Sequence, residues 1–210
     1  GGTGDGGKVS VNGTVYEDAD VYAFVKNNGG KVAVYKENLY KPMPGYRFIA
    51  SNTDRSRYYV GELNGKSSKQ AYMDALHISE SNIINQTFHN PLGKMNGQDI
   101  CIISLKEVSG NGLCCYRQVN DSDVLVLLEE QDYNEILDET LQRIRRDFNH
   151  ISGVFSINCV FRYLLFSQEH HMEDYLKTMS TLGDHAGLIG FGEHYNQQFV
   201  NQTMTCVVFE

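Results

Sequence analysis

Asp132-Tyr-Asn-Glu-Ile-Leu-Asp-Glu-Thr-Leu-Gln-Arg-Ile-Arg-Arg-Asp-Phe148 is the stretch on which the fold class turns. Tyr133, Ile136, Leu137, Leu141, Ile144 and Phe148 recur at helical spacing and form one apolar stripe. Asp132 opens the stripe as a cap, and Glu135 stands three positions later, where a carboxylate reaches back to the first backbone N–H. Arg143, Arg145 and Arg146 crowd the far end, where cations complement the helix dipole. Residues 132–148 therefore read as an amphipathic helix, set after a long run of strand-like sequence.

Upstream, Asn12-Gly13 between Val11 and Val15 predicts a hairpin. Val21-Tyr-Ala-Phe-Val25 and Val32-Ala-Val-Tyr35, separated by Asn27-Asn-Gly-Gly30, predict a second. Lys41-Pro-Met-Pro-Gly45 reads as punctuation and as the boundary between domains, residues 1–45 and 46–210. Residues 46–50 and 57–63 predict strands, and Asn64-Gly65 turns into a short helix capped by Ser67 or Ser68. Residues 77–98 read mostly as loop, and residues 100–108, 113–119 and 124–128 as strands of an antiparallel meander. Past the long helix, Gly153-Val-Phe-Ser-Ile157 predicts a strand running on to Arg162. Ser167 reads as the cap of a second helix carrying Met172, Tyr175, Leu176, Met179 and Leu182 on one side, with strands at 186–191 and 203–209 to close. Strands in succession followed by helices interleaved with strands predict an α+β fold, a mixed and largely antiparallel sheet covered by helices.

Apolar residues make up 41% and charged residues 21%, enough for a substantial core. Acidic side chains outnumber basic ones, 26 to 18, and a net charge of −8 disfavours a nucleic-acid backbone as partner. No apolar run approaches the roughly 20 residues that cross a bilayer, so no direct membrane insertion is expected. Cysteines 101, 114, 115, 159 and 206 form neither a disulfide framework nor a metal quartet, which points to a reducing, cytoplasmic compartment. His170 and Asp174 share a helix face, but two ligands do not make a metal site. No cofactor is expected.

The chemistry-bearing residues gather near the C-terminus. Gly187-Leu-Ile-Gly-Phe-Gly-Glu193 spaces a carboxylate with glycines that permit close backbone approach. Asn201-Gln-Thr203 then offers both donors and acceptors. Such a set suits a small polar molecule held at a strand edge. Arg162 and Glu193 are the expected pair, each at a strand end: a guanidinium fork for a carboxylate, and a carboxylate for an ammonium. Asn201, Gln202 and Thr203 would complete the lining, with Phe191, Tyr195 and Phe199 as walls. The alternative is that the two charges staple the strand ends to each other. Cys159, beside Arg162 and with His185 or His194 in reach, supplies a cysteine-dependent catalytic alternative. Exposed tyrosines supply a third reading, a protein-interaction module.

Five fragments carry a family resemblance. Glu62-Leu-Asn-Gly65 with Tyr72, His89-Asn-Pro-Leu-Gly93, Cys159-Val-Phe-Arg162, Gly190-Phe-Gly-Glu193 and Asn201-Gln-Thr203 occur in that order. They resemble the strand-turn-helix entry, Pro-Leu-Gly loop, Cys-x-x-Arg, glycine-glutamate turn and closing Asn-x-Thr strand of the C-terminal half of the FIST sensory domain. That module belongs to bacterial signalling proteins and also occurs in eukaryotic F-box proteins. An Asp is more usual where Asn64 stands. The resemblance covers residues 46–210, and residues 1–45 resemble the tail of the preceding FIST N-terminal half. It implies a non-catalytic sensory domain, an excerpt of a larger receptor. Such a domain binds a small polar metabolite, amino acids being the leading proposal, and passes the signal to output domains of the full-length protein. On that reading the ligand-binding residues are Cys159, Arg162, Glu193, Tyr195, Asn201, Gln202 and Thr203.

Overall fold

The computed structural model describes residues 7–97 and 99–210 and divides the chain into two compact units. One unit is Leu39–Asp132, inserted in the sequence of the other, which joins the described residues up to Asn38 to Tyr133–Glu210. Both are built on sheets whose pairings are almost all antiparallel, and the fold is α+β.

The split unit begins with a hairpin of β1 (Lys8–Val11) and β2 (Thr14–Glu17), turned by Asn12 and Gly13 as their sequence predicts. β3 (Val32–Asn38) follows. Val21-Tyr-Ala-Phe-Val25, expected as a strand, takes no regular structure, and Phe24 is 95% exposed. Strand propensity expresses packing on a pleated surface, and here these side chains lie on none.

The inserted unit runs β4 (Tyr40–Asp54), β5 (Tyr59–Leu63), β6 (Lys66–Ser67), α1 (Ser68–Leu76), α2 (Ile83–Gln86), β7 (Leu92–Asn96), β8 (Asp99–Ile103), β9 (Leu105–Ser109), β10 (Gly112–Cys115) and β11 (Val124–Glu130). Its sheet has the order β8-β7-β11-β4-β5-β10-β9, with β6 hairpinned onto β5. Leu63, Tyr72, Ile83, Leu92, Leu113 and Leu125 belong to its buried core. Lys41-Pro-Met-Pro-Gly45 does not interrupt the chain; it lies within β4. That half of β4 pairs only with β11, so the prolines deprive no second neighbour of a donor. The register opposite shifts between Val126 and Leu128, and Gly45 at φ +86° accommodates the irregularity. Residues 77–97 are not mostly loop either, because they contain α2 and β7, and residue 98 lies outside the described residues. α2 is a single turn, too short to show a period, anchored by the buried Ile83.

Ser67 caps α1, its hydroxyl accepting from the Gln70 backbone N–H. Just before it, Asn64 occupies the left-handed region at φ +53°. Its Oδ1 accepts from the Ile49 N–H at 2.7 Å and its Nδ2 donates to the Arg47 carbonyl at 2.9 Å. Aspartate would keep the first bond and set a carboxylate oxygen against the carbonyl in the second. Asn64→Asp is therefore expected to cost about 1–3 kcal/mol in urea denaturation. A stability within about 0.5 kcal/mol of the parent would show that the amide does not tie these strands.

The split unit resumes with α3 (Tyr133–Asp147), β12 (Gly153–Cys159), α4 (Val160–Gln168), α5 (Met172–Ser180), β13 (His185–Gly190), β14 (Glu193–Tyr195), β15 (Gln198–Val200) and β16 (Thr203–Phe209). Leu137, Leu141 and Ile144 bury the stripe of α3. The sheet order is β13-β12-β16-β3. β12 and β13 are parallel, a pairing that needs a long crossover, which α4 and α5 supply. The strand expected to reach Arg162 stops at Cys159, and Arg162 lies in the first turn of α4. Ser167 caps nothing: it sits near the end of α4, donating back to the Tyr163 carbonyl, and α5 begins at Met172.

Candidate functional site

Alternation along β3 places Tyr35 and Glu37 on one face of the sheet. Register sets them beside Cys206 and Met204 of β16, which in turn face Ser156 and Asn158 of β12. All six are buried. α4 lays Arg162 on this surface. Arg162 Nη2 donates to Glu37 Oε1, and the two side chains are 1% and 0% exposed. The guanidinium lies 4.7 Å from the Phe166 ring centroid and 5.5 Å from that of Tyr175. Asn158 Nδ2 donates to the Tyr175 hydroxyl at 2.9 Å, and Ser156 Oγ bonds His185 Nε2 at 2.8 Å. Among the described residues, Arg162 Nε and Nη1, Glu37 Oε2 and Asn158 Oδ1 are buried with no hydrogen-bond partner.

A second polar group forms where β12 gives way to α4. Cys159 is the residue before the helix, and the backbone N–H groups of Gln202, Phe161 and Gly192 point toward its sulfur. Glu193 of β14 stands against it, and Thr203 Oγ1 donates to Glu193 Oε2 at 2.7 Å. Gly192 closes the turn at φ +91°, where a Cβ would meet the Phe199 ring at 2.5 Å and Asn201 Oδ1 at 3.1 Å. Glu193 Oε1 and Asn201 Nδ2 are buried without a hydrogen-bond partner among the described residues. Burial raises the Glu193 carboxyl to about 7, against the Thr203 hydroxyl, the Cys159 thiol and the Arg162 charge, each of which lowers it.

Cys159, Glu193, Gln202 and Thr203 thus come together, with Asn201 across Gly192 from them. Arg162 is close enough to Glu193 to favour its charge but does not bond it. The alternative in which Arg162 and Glu193 staple strand ends to each other does not hold: Arg162 pairs with Glu37 and Glu193 accepts from Thr203, because Arg162 belongs to a helix lying on the sheet rather than to a strand end. Tyr195 stands apart: its ring lies 5.5 Å from Lys36 Nζ, and it lines a hollow of about 210 Å³ with His194, Val34 and Phe155. His185 bonds Ser156 and His194 packs on Phe199. Burial first, and the Glu193 carboxylate next, push the Cys159 thiol up, the reverse of what a nucleophile needs. The parity that Glu37 shares with Tyr35 along β3 is the sequence signal for its place on this buried face.

The sequence model described as FIST C domain matches residues 69–196. The chain belongs to the FIST C family. FIST C domains are sensory parts of signalling proteins, and residues 89–93, 159–162 and 190–193 all lie within the match. No curated protein and no solved structure matches this FIST C chain. Among its described residues no helix is long and apolar enough to cross a membrane.

Proposed function

We propose that this FIST C chain is the ligand-sensing part of a cytoplasmic signal-transduction protein. It binds a small polar metabolite, an amino acid, without converting it, and passes occupancy to output domains of the full-length protein. Residues 1–45 are then the tail of an upstream FIST N-terminal half. What supports the reading is buried charge left incompletely answered: Arg162 Nε and Nη1, Glu37 Oε2 and Glu193 Oε1. An unsatisfied buried polar atom costs about 1–3 kcal/mol, more when charged. An amino acid carries the complement of each. Its carboxylate accepts from Arg162, its ammonium donates to Glu37 and Glu193, and Asn201, Gln202 and Thr203 complete the shell around Cys159, with Tyr195 at its outer limit.

Native mass spectrometry and calorimetry at pH 8 against the common amino acids test this. At least one is expected to bind, and folded Glu193→Gln is expected to bind it about tenfold more weakly. Equal affinity in that variant would remove Glu193 from the site. Failure of the parent chain to retain any polar metabolite would reject the reading as a whole.

A further inference from the structure

We infer that the ligand is an amino acid whose side chain ends in an oxyanion, and that Arg143 and Arg146 hold that end. The inference rests on the sensing reading above and adds the chemical class of what is sensed. A cleft of about 400 Å³ runs between β3 and α3, within the split unit, and Glu37 is part of its lining. This is the carboxylate that holds Arg162, so the cleft leads onto the buried pair. Its volume falls in the range of roughly 300–1,000 Å³ typical of small-molecule sites. Glu37 is 2% exposed, and its Oε2 lacks a partner among the described residues. It offers the acceptor that an ammonium group requires.

Arg143 and Arg146 stand three residues apart on α3 and so project from one helix face into the cleft lining. Arg143 is held in place. Its Nη2 donates to the Lys36 carbonyl at 3.1 Å, and its guanidinium stacks 5.3 Å from the Tyr35 ring. A fork anchored at one corner presents its remaining N–H groups with little loss of side-chain freedom. Arg145, by contrast, donates to Thr181 Oγ1 at 2.7 Å and takes no part in the lining. The lining cations are Arg143 and Arg146, and its acids are Glu37 and Glu139, while Lys36 carries its ammonium away to Gln198 Oε1 and the Tyr195 ring. With Glu37 answered by Arg162, the mouth is net positive in a chain whose net charge is −8. Complementing the dipole of α3 would explain basic residues at its end, but not two of them lining a hollow over a buried carboxylate. An oxyanion at the mouth and an ammonium at Glu37 satisfy both.

The test compares glutamate, aspartate and O-phosphoserine with glutamine and asparagine by calorimetry, on the parent chain and on Arg143→Gln/Arg146→Gln. Both arginines are exposed, so the variant keeps its fold, and circular dichroism checks this. In the parent chain the best acidic ligand is expected to bind about tenfold or more tightly than its amide. In the double variant that preference is expected to shrink to about threefold or less, because the acidic ligand loses more affinity than the amide. Retention of the preference in the double variant, or an amide preferred by the parent, overturns the inference and leaves the sensing reading standing. No binding of any amino acid by the parent overturns both.

Discussion

Arg162→Ala is expected to destabilise the split unit by about 3–5 kcal/mol, the scale for removing one partner of a buried ion pair. The loss comes less from the missing attraction than from what stays behind. Glu37 has no exposed side-chain area and would be left beneath α4 with nothing to answer it. The packing of the guanidinium on Phe166 and Tyr175 goes as well. Replacing both partners, Arg162→Met with Glu37→Leu, removes both charges at similar volume and is expected to be far milder, neutral or even stabilising. Urea denaturation of the three chains separates the cases. A single variant within about 1 kcal/mol of the parent would mean that the pair is solvated, contrary to its burial. Any affinity measured on Arg162→Ala must be read with this in mind, because a chain that loses its fold loses its ligand for an uninformative reason.

The second large effect is a gain. Glu193 titrates near 4.5 in an unstructured chain and at about 7 when folded. Between those values the folded chain holds a proton that the unfolded chain has released, so the contribution of Glu193 to stability falls as pH rises through that window. Above pH 7 the folded state carries a buried carboxylate, and the difference between the two pKa values corresponds to about 3 kcal/mol. Glu193→Gln keeps an acceptor for the Thr203 hydroxyl and carries no charge. It is expected to be more stable than the parent by up to about 3 kcal/mol at pH 8, and equal to it near pH 4.5. Thermal melts across pH 4–8 would show two curves diverging upward in pH. Parallel curves would mean that the carboxyl titrates normally. The same substitution is expected to weaken ligand binding, so stability and function oppose each other at this residue, as they do where a site is kept strained for use.

α3 and the hairpin at Asn12-Gly13 are legible in the sequence because each carries its own local rule, a period in one case and a turn dipeptide in the other. The start of α4 is not. Val160, Phe161 and Tyr163 favour strands, and Cys159 makes no side-chain capping bond to announce the change. That one hidden helix start displaces Arg162 from a strand end to a sheet face and hands it a partner more than a hundred residues away. The stretch 77–98 hides its elements for another reason, since a one-turn helix and a strand beginning Leu92-Gly93 leave no room for a period to repeat. Close to the C-terminus the composition already marks Glu193, Gln202 and Thr203, because glycine, carboxylate, amide and hydroxyl concentrated in so short a span suit polar recognition better than a core, whereas Cys159 joins them only through the fold. The cleft over Glu37 needs the registry of two distant segments and could not be read from either alone.

The order of strands in the split unit has a consequence for how the chain is made. β16 lies between β12 and β3 and, among the described residues, is the only bridge from the early segment to the late one in that sheet. On a ribosome, the inserted unit has all of its strands once Asp132 has emerged, whereas β3 waits, on the order of ten seconds at ordinary elongation rates, for its neighbour to be synthesised. During that interval the strand bearing Tyr35 and Glu37 lacks β16, its ladder partner among the described residues. Premature termination before Thr203 is therefore expected to yield a product in which the inserted unit has all its strands and the sheet of the split unit does not, a species prone to capture by chaperones.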